Sequence, residues 1–280
     1  MKKSLLLVIA ASLVAACQTT SGNEGASARS TASPDFGDFG PWFNAERSIG
    51  GDAYRRVTTT TSDGGQMLME QFSVASGQCV GRDCQNNSSR QERQENIYDY
   101  PRHGSQRQPK EAWYGWEIML AEGTAWGTDQ AIGPIILGQF KQGGVNCPLF
   151  IFKHQAGYTD PAIEMALPRG TGLPEGEGDC VQPVSSQAGD VRQLIGTWGR
   201  IELFVRWAPD ETGLLVGYFN GRKVMEHRGA TCVEDCENIY FKYGIYYANQ
   251  RERASKPVTA FYRNVSRSLD RKSLVASSGP

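Results

Sequence analysis

Short apolar stretches separated by turn residues recur along most of this 280-residue chain. Between Arg200 and Trp207, the apolar residues Ile201, Leu203 and Val205 occupy every second position. A period of two predicts a β-strand with one buried face. The same pattern predicts strands at Tyr54–Thr61, Gln66–Val74, Glu92–Asp99, Ala112–Ala121, Ile135–Gln142, Leu149–His154, Ile163–Leu167, Arg200–Trp207, Leu214–Phe219, Lys223–Arg228, Ile239–Tyr247 and Val258–Ser266.

The turns between these strands favour antiparallel pairing. Asn220-Gly221 separates two of them, and both residue types tolerate positive φ, which predicts a tight hairpin. Helical periodicity is nearly absent, apart from a short turn or helix near residues 190–196. We therefore predict an all-β fold, a jelly-roll sandwich of two antiparallel sheets. One domain is expected at 38–270, followed by a loose polar tail at 271–280.

The start of the chain predicts export. A basic Met1-Lys2-Lys3 precedes an apolar run of signal-peptide length, and the run ends in Val14-Ala15-Ala16-Cys17. That ending resembles the lipobox of bacterial lipoproteins, which implies a lipoprotein signal peptide at 1–16 and lipidation of Cys17. Residues 17–37 then form a flexible tether. Gln18 implies sorting to the outer membrane, so a cell-envelope protein held by a lipid anchor is expected. An ordinary signal peptide with an incidental Cys is the alternative.

The cysteine count agrees with export, because six cysteines remain after Cys17 and an even number in an exported chain indicates disulfides. We favour Cys79–Cys84 and Cys232–Cys236 as local bridges, which leaves Cys147 and Cys180 for a longer one. Short Cys spacings also suit zinc, but His is lacking nearby, so no metal is expected. The net charge of −1 excludes a global basic field for nucleic acid.

The segment Tyr240–Gln250 carries the clearest candidate chemistry. In a strand, Tyr240, Lys242 and Tyr246 share one face, and the opposite face is apolar. A core strand has no need of phenols and an ammonium in a row, whereas a groove for an acidic sugar polymer does.

Three segments together resemble jelly-roll polysaccharide lyases of the concanavalin A-like fold, such as alginate, glucuronan and heparin lyases. They are Ser89–Asn96, Leu137–Lys141 and Tyr240–Gln250. In that family they correspond to an Arg-x-Glu strand, a Gln-x-His strand and a Tyr-Phe-Lys-x-Gly-x-Tyr strand. The third match is close, the first is loose and the second is partial. The resemblance implies a metal-independent, cofactor-free lyase that acts on an acidic, uronate-containing polysaccharide.

The resemblance also implies residue roles. A lyase removes the C5 proton of a uronic acid and expels the O4 substituent. Tyr246 would be the base and acid, Gln139 would face the substrate carboxylate, and Lys242 would favour the ionised phenol. Tyr240 and Asn249, on or beside the same strand, are further substrate-binding candidates.

One departure concerns the second motif, where Lys141 replaces the expected His. Lys141 shares a strand face with Gln139, so it can bind the carboxylate or, when desolvated, act as the base. His103, in a nearby loop segment, is an alternative source of the missing imidazole.

The first motif has two registers, because Arg-Gln-Glu occurs twice in succession. Arg90 and Glu92 share one face of a regular strand, and Arg93 and Glu95 share the other. The sequence favours Arg93 with Glu95 in the groove, because Ile97 continues that face. Arg93 is then a catalytic candidate, and Glu95 and Arg90 are substrate-binding candidates.

Two other functions remain open. A noncatalytic carbohydrate-binding protein on the same fold fits the loss of the His. A glycoside hydrolase needs two closely spaced carboxylates. The closely spaced acids usual for that class are missing, and Glu234–Glu237 does not supply them. The charged and polar positions are also compatible with an exposed sheet face or edge.

Overall fold

The computed structural model describes residues 44–46, 53–60, 64–75, 78–86, 88–95, 109–123, 126, 134–145, 147–155, 162–169, 181–247 and 257–274. Fourteen strands lie in these ranges: β1 (Asn44–Glu46), β2 (Tyr54–Thr60), β3 (Gln66–Val74), β4 (Ser89–Gln94), β5 (Glu111–Leu120), β6 (Ile135–Gln142), β7 (Phe150–Gln155), β8 (Ala162–Arg169), β9 (Val181–Asp190), β10 (Gly199–Arg206), β11 (Leu214–Phe219), β12 (Arg222–Arg228), β13 (Ile239–Tyr247) and β14 (Val258–Ser268). One short helix, α1 (Arg82–Gln85), and 3-10 turns at Val191–Leu194 and Arg271–Ser273 complete the described elements.

The strands form two seven-stranded sheets. The first sheet has the order β1-β4-β13-β6-β7-β8-β9, and the second has the order β12-β11-β10-β5-β14-β3-β2. Every pair of neighbouring strands is antiparallel. This architecture confirms the predicted jelly-roll sandwich. It also places β13 near the middle of the first sheet, between β4 and β6.

Aromatic side chains fill the space between the sheets. Trp116 of the second sheet packs against Phe241 of the first, with ring centroids 5.0 Å apart, and Tyr114 meets Phe140 at 4.7 Å. All four are fully buried. Aromatic side chains bury more apolar area than any others, and apolar burial stabilises a fold by about 25 cal/mol per Å². This core packs against one face of β13 and β6 and fixes their position.

The strand predictions agree with the structure where apolar and polar residues alternate clearly. The predicted bounds of β3, β6, β11 and β13 match those observed. The sequence missed β9, whose Pro183 and small polar residues lack a strand pattern. β9 lies at the edge of the first sheet, where a missing backbone N–H is tolerated. The strand predicted at Glu92 begins earlier, at Ser89.

The predicted hairpin is also present. Asn220 and Gly221 have φ values of 50° and 77° between β11 and β12, as a tight hairpin turn requires. At the C-terminus the packed chain continues past the boundary predicted at residue 270. Leu274 is buried, and Arg271 forms an ion pair with Glu202 of β10.

Both short disulfides occur as predicted. Cys79 bonds to Cys84 and Cys232 to Cys236, with Cα–Cα distances of 5.1 and 5.2 Å. Cys147 is also disulfide-bonded. Cys17, Cys180, His103, Asn249, the signal peptide at 1–16 and the tether at 17–37 lie outside the described residues. None of the helices in the described part has the length and apolar character needed to cross a bilayer.

Candidate active site

The two faces of β13 differ as the sequence predicts. Phe241, Tyr243, Ile245 and Tyr247 belong to the core between the sheets. Tyr240, Lys242 and Tyr246 alternate with them and lie on the opposite face. We call the face of the first sheet that points away from the second sheet the site face.

Strand β6 brings two further predicted residues to the site face. Gln139 is the cross-strand neighbour of Lys242, and Lys141 is the neighbour of Tyr240. Gln139 and Lys242 are each only 5% exposed, and the Lys242 ammonium lies 5.8 Å from the Tyr240 ring centroid. Side chains directly opposite each other on antiparallel strands are in contact range, so these four residues form one surface.

Strand β4 supplies an arginine from the other side. Arg90 is the cross-strand neighbour of Tyr246, and its guanidinium carbon lies 4.9 Å from the phenol ring centroid. The guanidinium is also bound by Asp83 of α1, because Nε donates to Oδ2 at 2.7 Å and Nη2 donates to Oδ1. A two-point contact fixes the orientation of a guanidinium as well as its position. Arg90 is therefore held beside Tyr246.

The register favoured from the sequence for the first motif is wrong. Arg93 is opposite Tyr243 and points between the sheets, where it forms an ion pair with Glu70 of β3. Glu95 is 1% exposed and pairs with Arg267 of β14 at 3.1 Å. The buried ion pairs attract these two residues to the interior, which the local sequence pattern does not reveal. Arg90 is the arginine on the site face.

Glu92 is a site-face residue that sequence reasoning missed. It is 1% exposed, and its Oε1 accepts a hydrogen bond of 2.6 Å from Nε2 of Gln139. One amide proton of Gln139 is thus engaged by a carboxylate, which orients the amide. The signal was present in the sequence, since Glu92 belongs to the Arg-Gln-Glu register that was not favoured.

A β-bulge shapes the centre of the site. The register between β13 and β6 shifts between Tyr243 and Tyr246, at Gly244, whose φ is 128°. A Cβ on Gly244 would lie 2.4 Å from the carbonyl oxygen of Gln91, so only glycine fits. The buried Tyr262 hydroxyl of the second sheet contacts the carbonyl oxygens of Leu137 and Gly244, both at 2.8 Å. Bulges redirect side chains, and here the next site-face residue is Tyr246.

The site face continues onto β7 and β8. Lys153 is the cross-strand neighbour of Ile136, which itself neighbours Tyr246. Lys153 is 6% exposed and lies 3.4 Å from Glu164 of β8. A cation is therefore present two strands away from the phenol.

Neither described histidine lies on the site face. His154 points into the core beside Trp126, and burial lowers its pKa from 6.5 to about 4. His227 belongs to β12 of the second sheet, where Nε2 contacts the carbonyl of Ala230 at 3.2 Å. Within the described ranges no three His, Cys, Asp or Glu side chains are grouped as metal ligands.

The assembled face combines three kinds of group. Lysines and an arginine supply positive charge for an anion, Gln139 supplies an oriented amide donor, and Tyr246 supplies a phenol beside a cation. Preorganised donors and a proton-transfer group are what an elimination next to a carboxylate requires.

The sequence matches the family model described as polysaccharide lyase over residues 34–266. The chain belongs to the polysaccharide lyase family. Among solved structures, an endo-β-1,4-glucuronan lyase from the fungus Trichoderma reesei is similar, with a TM-score of 0.61 and 17% identity over 85% of this chain and 95% of that one. An alginate lyase from Pseudomonas aeruginosa gives a TM-score of 0.50 and 17% identity over 76% and 86% of the two chains. No curated protein has a matching sequence.

Proposed function

We propose that this polysaccharide lyase cleaves an acidic, uronate-containing glycan by β-elimination. The observation that carries the proposal is the meeting of Arg90, Gln139, Lys242 and Tyr246 on one face of three adjacent strands. The similar solved structures support the substrate class, because they are a glucuronan lyase and an alginate lyase.

In the proposed reaction Tyr246 serves as base and acid. The ionised phenol takes the C5 proton, the C5–H electron pair forms the C4–C5 double bond, and the C4–O4 bond breaks. The phenol then gives the proton to the departing O4. Proton transfer by a positioned side chain typically contributes about 10²–10⁴-fold to a rate.

Gln139 donates to the substrate carboxylate and stabilises the charge that develops when the C5 proton leaves. An amide group has two donor protons, and the hydrogen bond to Glu92 uses one of them, so the other is assigned to the substrate. Lys242 is the cross-strand neighbour of Gln139, and Lys141 is that of Tyr240, and the two lysines attract the carboxylates of the polymer. In this proposal Lys141 replaces the family's imidazole as a cationic binding group.

The same positions also suit a second candidate, a binder that has lost catalysis. The specific observation in its favour is Lys141 in place of the expected His, with no described histidine on the site face. A binder needs the cations and Tyr240 but has no need of Tyr246 as a proton carrier.

Purified protein incubated with polyglucuronate, alginate and heparin-type polymers distinguishes the two. We expect the ultraviolet absorbance of an unsaturated sugar to rise with at least one polymer. Binding without absorbance from any of them would reject the lyase and support the binder.

We also propose that the protein is anchored in the cell envelope by lipids on Cys17, with the outer membrane as its location. The sequence pattern before Cys17 supports this. Several acyl chains hold a protein firmly, because each buried CH₂ contributes about 0.8 kcal/mol. Labelling with a radioactive fatty acid is expected to mark the protein and to fail for Cys17→Ser. A labelled Cys17→Ser protein would contradict the anchor.

A further inference from the structure

The Cys79–Cys84 disulfide closes a small loop that precedes β4 in the chain. Helix α1 begins in this loop, and backbone hydrogen bonds join Asp83 N–H to the Val80 carbonyl and Cys84 N–H to the Gly81 carbonyl, at 3.3 and 3.1 Å. A disulfide across so few residues restricts the conformations of the loop. The loop therefore presents Asp83 in a fixed position.

Asp83 connects this loop to the site face. It is 3% exposed, and both of its carboxylate oxygens accept from the Arg90 guanidinium. Its backbone carbonyl also accepts from Ser88 N–H at 2.9 Å, immediately before β4 begins. The aspartate is thus attached through its backbone to Ser88 and through its side chain to β4.

The contact continues from Arg90 to Tyr246. Arg90 is the cross-strand neighbour of Tyr246 and lies 4.9 Å from its ring centroid, with 27% of its side chain exposed. A free arginine side chain samples many rotamers, and the two-point contact with Asp83 removes that freedom. A buried aspartate that served only the fold would not need to hold a partly exposed cation against a phenol.

We propose that Asp83 is a positioning residue of the lyase, which holds Arg90 against Tyr246, and that the Cys79–Cys84 disulfide fixes Asp83 for this purpose. The inference rests on the proposed function, because it assigns the chemistry to Tyr246. Asp83 itself does not contact substrate. It acts through Arg90, and its removal lowers turnover more than it weakens polymer binding.

A double-mutant cycle between Asp83 and Arg90 tests this coupling. Asp83→Asn is expected to lower kcat by about 10- to 100-fold with KM changed less than threefold, because small misplacements of catalytic groups are costly. In an Arg90→Gln background the same change is expected to have almost no further effect. Asp83→Glu, which keeps a carboxylate, is expected to recover most of the kcat. Asp190→Asn is the matched control, since Asp190 also binds an arginine, Arg192, through both oxygens.

A second pair of variants guards against misfolding of Asp83→Asn. Replacing Cys79 and Cys84 with Ser loosens the loop but keeps every charge, and it is expected to lower kcat. The Cys232→Ser/Cys236→Ser pair removes a disulfide of similar span and is expected to leave kcat nearly unchanged. Equal kcat for wild type, Asp83→Asn and the Cys79/Cys84 variant would overturn this inference but not the proposed function. The same holds if Asp83→Asn lowers kcat as much in the Arg90→Gln background as in the wild type. A wild type that eliminates no polymer would overturn the proposed function as well.

Discussion

Strands β4 and β13 carry two arginine–tyrosine pairs on opposite faces of one sheet, each with a glutamate nearby. The interior set is Arg93, Tyr243 and Glu70, and the site-face set is Arg90, Tyr246 and Glu92. In both sets the arginine and the tyrosine are cross-strand neighbours. The residue types are the same, so any functional difference comes from their surroundings.

In the interior set, the glutamate binds both the arginine and the tyrosine. Arg93 and the Tyr243 hydroxyl both donate to Glu70, and the Tyr54 hydroxyl adds a third contact at 2.7 Å. Burial and the Glu70 charge raise the pKa of Tyr243 well above its usual value. A phenol in that state stays neutral and donates its proton to one fixed acceptor, which gives it a structural role.

In the site-face set, the arginine and the glutamate each bind a residue outside the set. Asp83 binds Arg90, and Gln139 binds Glu92. Tyr246 is partly exposed. The comparison shows that an Arg-Glu-Tyr combination indicates no function by itself. The face it occupies and the partners of each member decide whether it can meet a substrate.

The largest expected difference between the sets lies in catalysis. Tyr246→Phe removes the proposed base and acid, so we expect kcat to fall by about 10²–10⁴-fold. Tyr243→Phe removes a hydroxyl from the interior set and is expected to leave kcat within about threefold, with a stability loss of about 1–3 kcal/mol. Steady-state elimination rates and chemical denaturation measure both. Full activity in Tyr246→Phe would refute the assignment of the phenol.

The interior set is expected to contribute more than the site-face set to the free energy of unfolding. Arg93→Met leaves the carboxylate of Glu70 buried without its cation, which costs about 3–5 kcal/mol of unfolding free energy. Adding Glu70→Gln removes the uncompensated charge and is expected to restore part of the loss. Arg192→Met, at an exposed pair, serves as the control and is expected to change stability by less than about 0.5 kcal/mol. A double variant no more stable than Arg93→Met would contradict a charge-based cost.

The sequence predicted the fold better than the arrangement of the site. Alternation in β13 is long and regular, so its two faces could be read directly from Tyr240 to Tyr246. The same rule failed in β4, where both candidate faces are polar and no apolar residue marks the interior. The inward direction of Arg93 and Glu95 depends on their ion-pair partners, Glu70 and Arg267, which lie on strands of the other sheet. Asp83 was missed because its contact with Arg90 depends on how a disulfide loop folds back onto the strand.

Interior and site face can also be compared on strand β7, where His154 points inwards and its neighbour Lys153 lies on the site face. Here the interior residue makes the stability of the fold depend on pH. Burial lowers the pKa of His154 from 6.5 to about 4. Below pH 6.5 the unfolded chain binds a proton that the folded protein does not, so stability falls as the pH drops towards 4. The full effect is about 3 kcal/mol.

Chemical denaturation of wild type and His154→Phe across this pH range measures how much His154 contributes to the pH dependence of stability. Phe keeps an aromatic ring against Trp126, whose centroid lies 5.9 Å from that of His154, and it cannot titrate. We expect a weaker loss of stability on acidification for His154→Phe. His227→Phe, on the second sheet, is expected to behave like the wild type. Identical acid profiles for wild type and His154→Phe would show that the buried imidazole does not resist protonation.

The smallest expected effect concerns Glu92, the member of the site-face set that binds Gln139. Glu92→Gln keeps the shape of the side chain but replaces a charge-assisted hydrogen bond with a neutral one, which is weaker and lets either amide turn over. We expect kcat to fall by about 10-fold, a change of about 1.4 kcal/mol.

The KM of Glu92→Gln separates this positioning role from a general effect of the Glu92 charge on polymer binding. Removing a negative charge from a surface that attracts an anion cannot weaken attraction to the polymer, so KM is expected to stay constant or to fall. Glu202→Gln, which removes a carboxylate paired with Arg271 on the second sheet, is expected to leave both constants unchanged. If Glu92→Gln lowered KM and left kcat intact, the glutamate would act only as a repulsive charge. The amide of Gln139 would then be oriented by its own strand rather than by the site-face set.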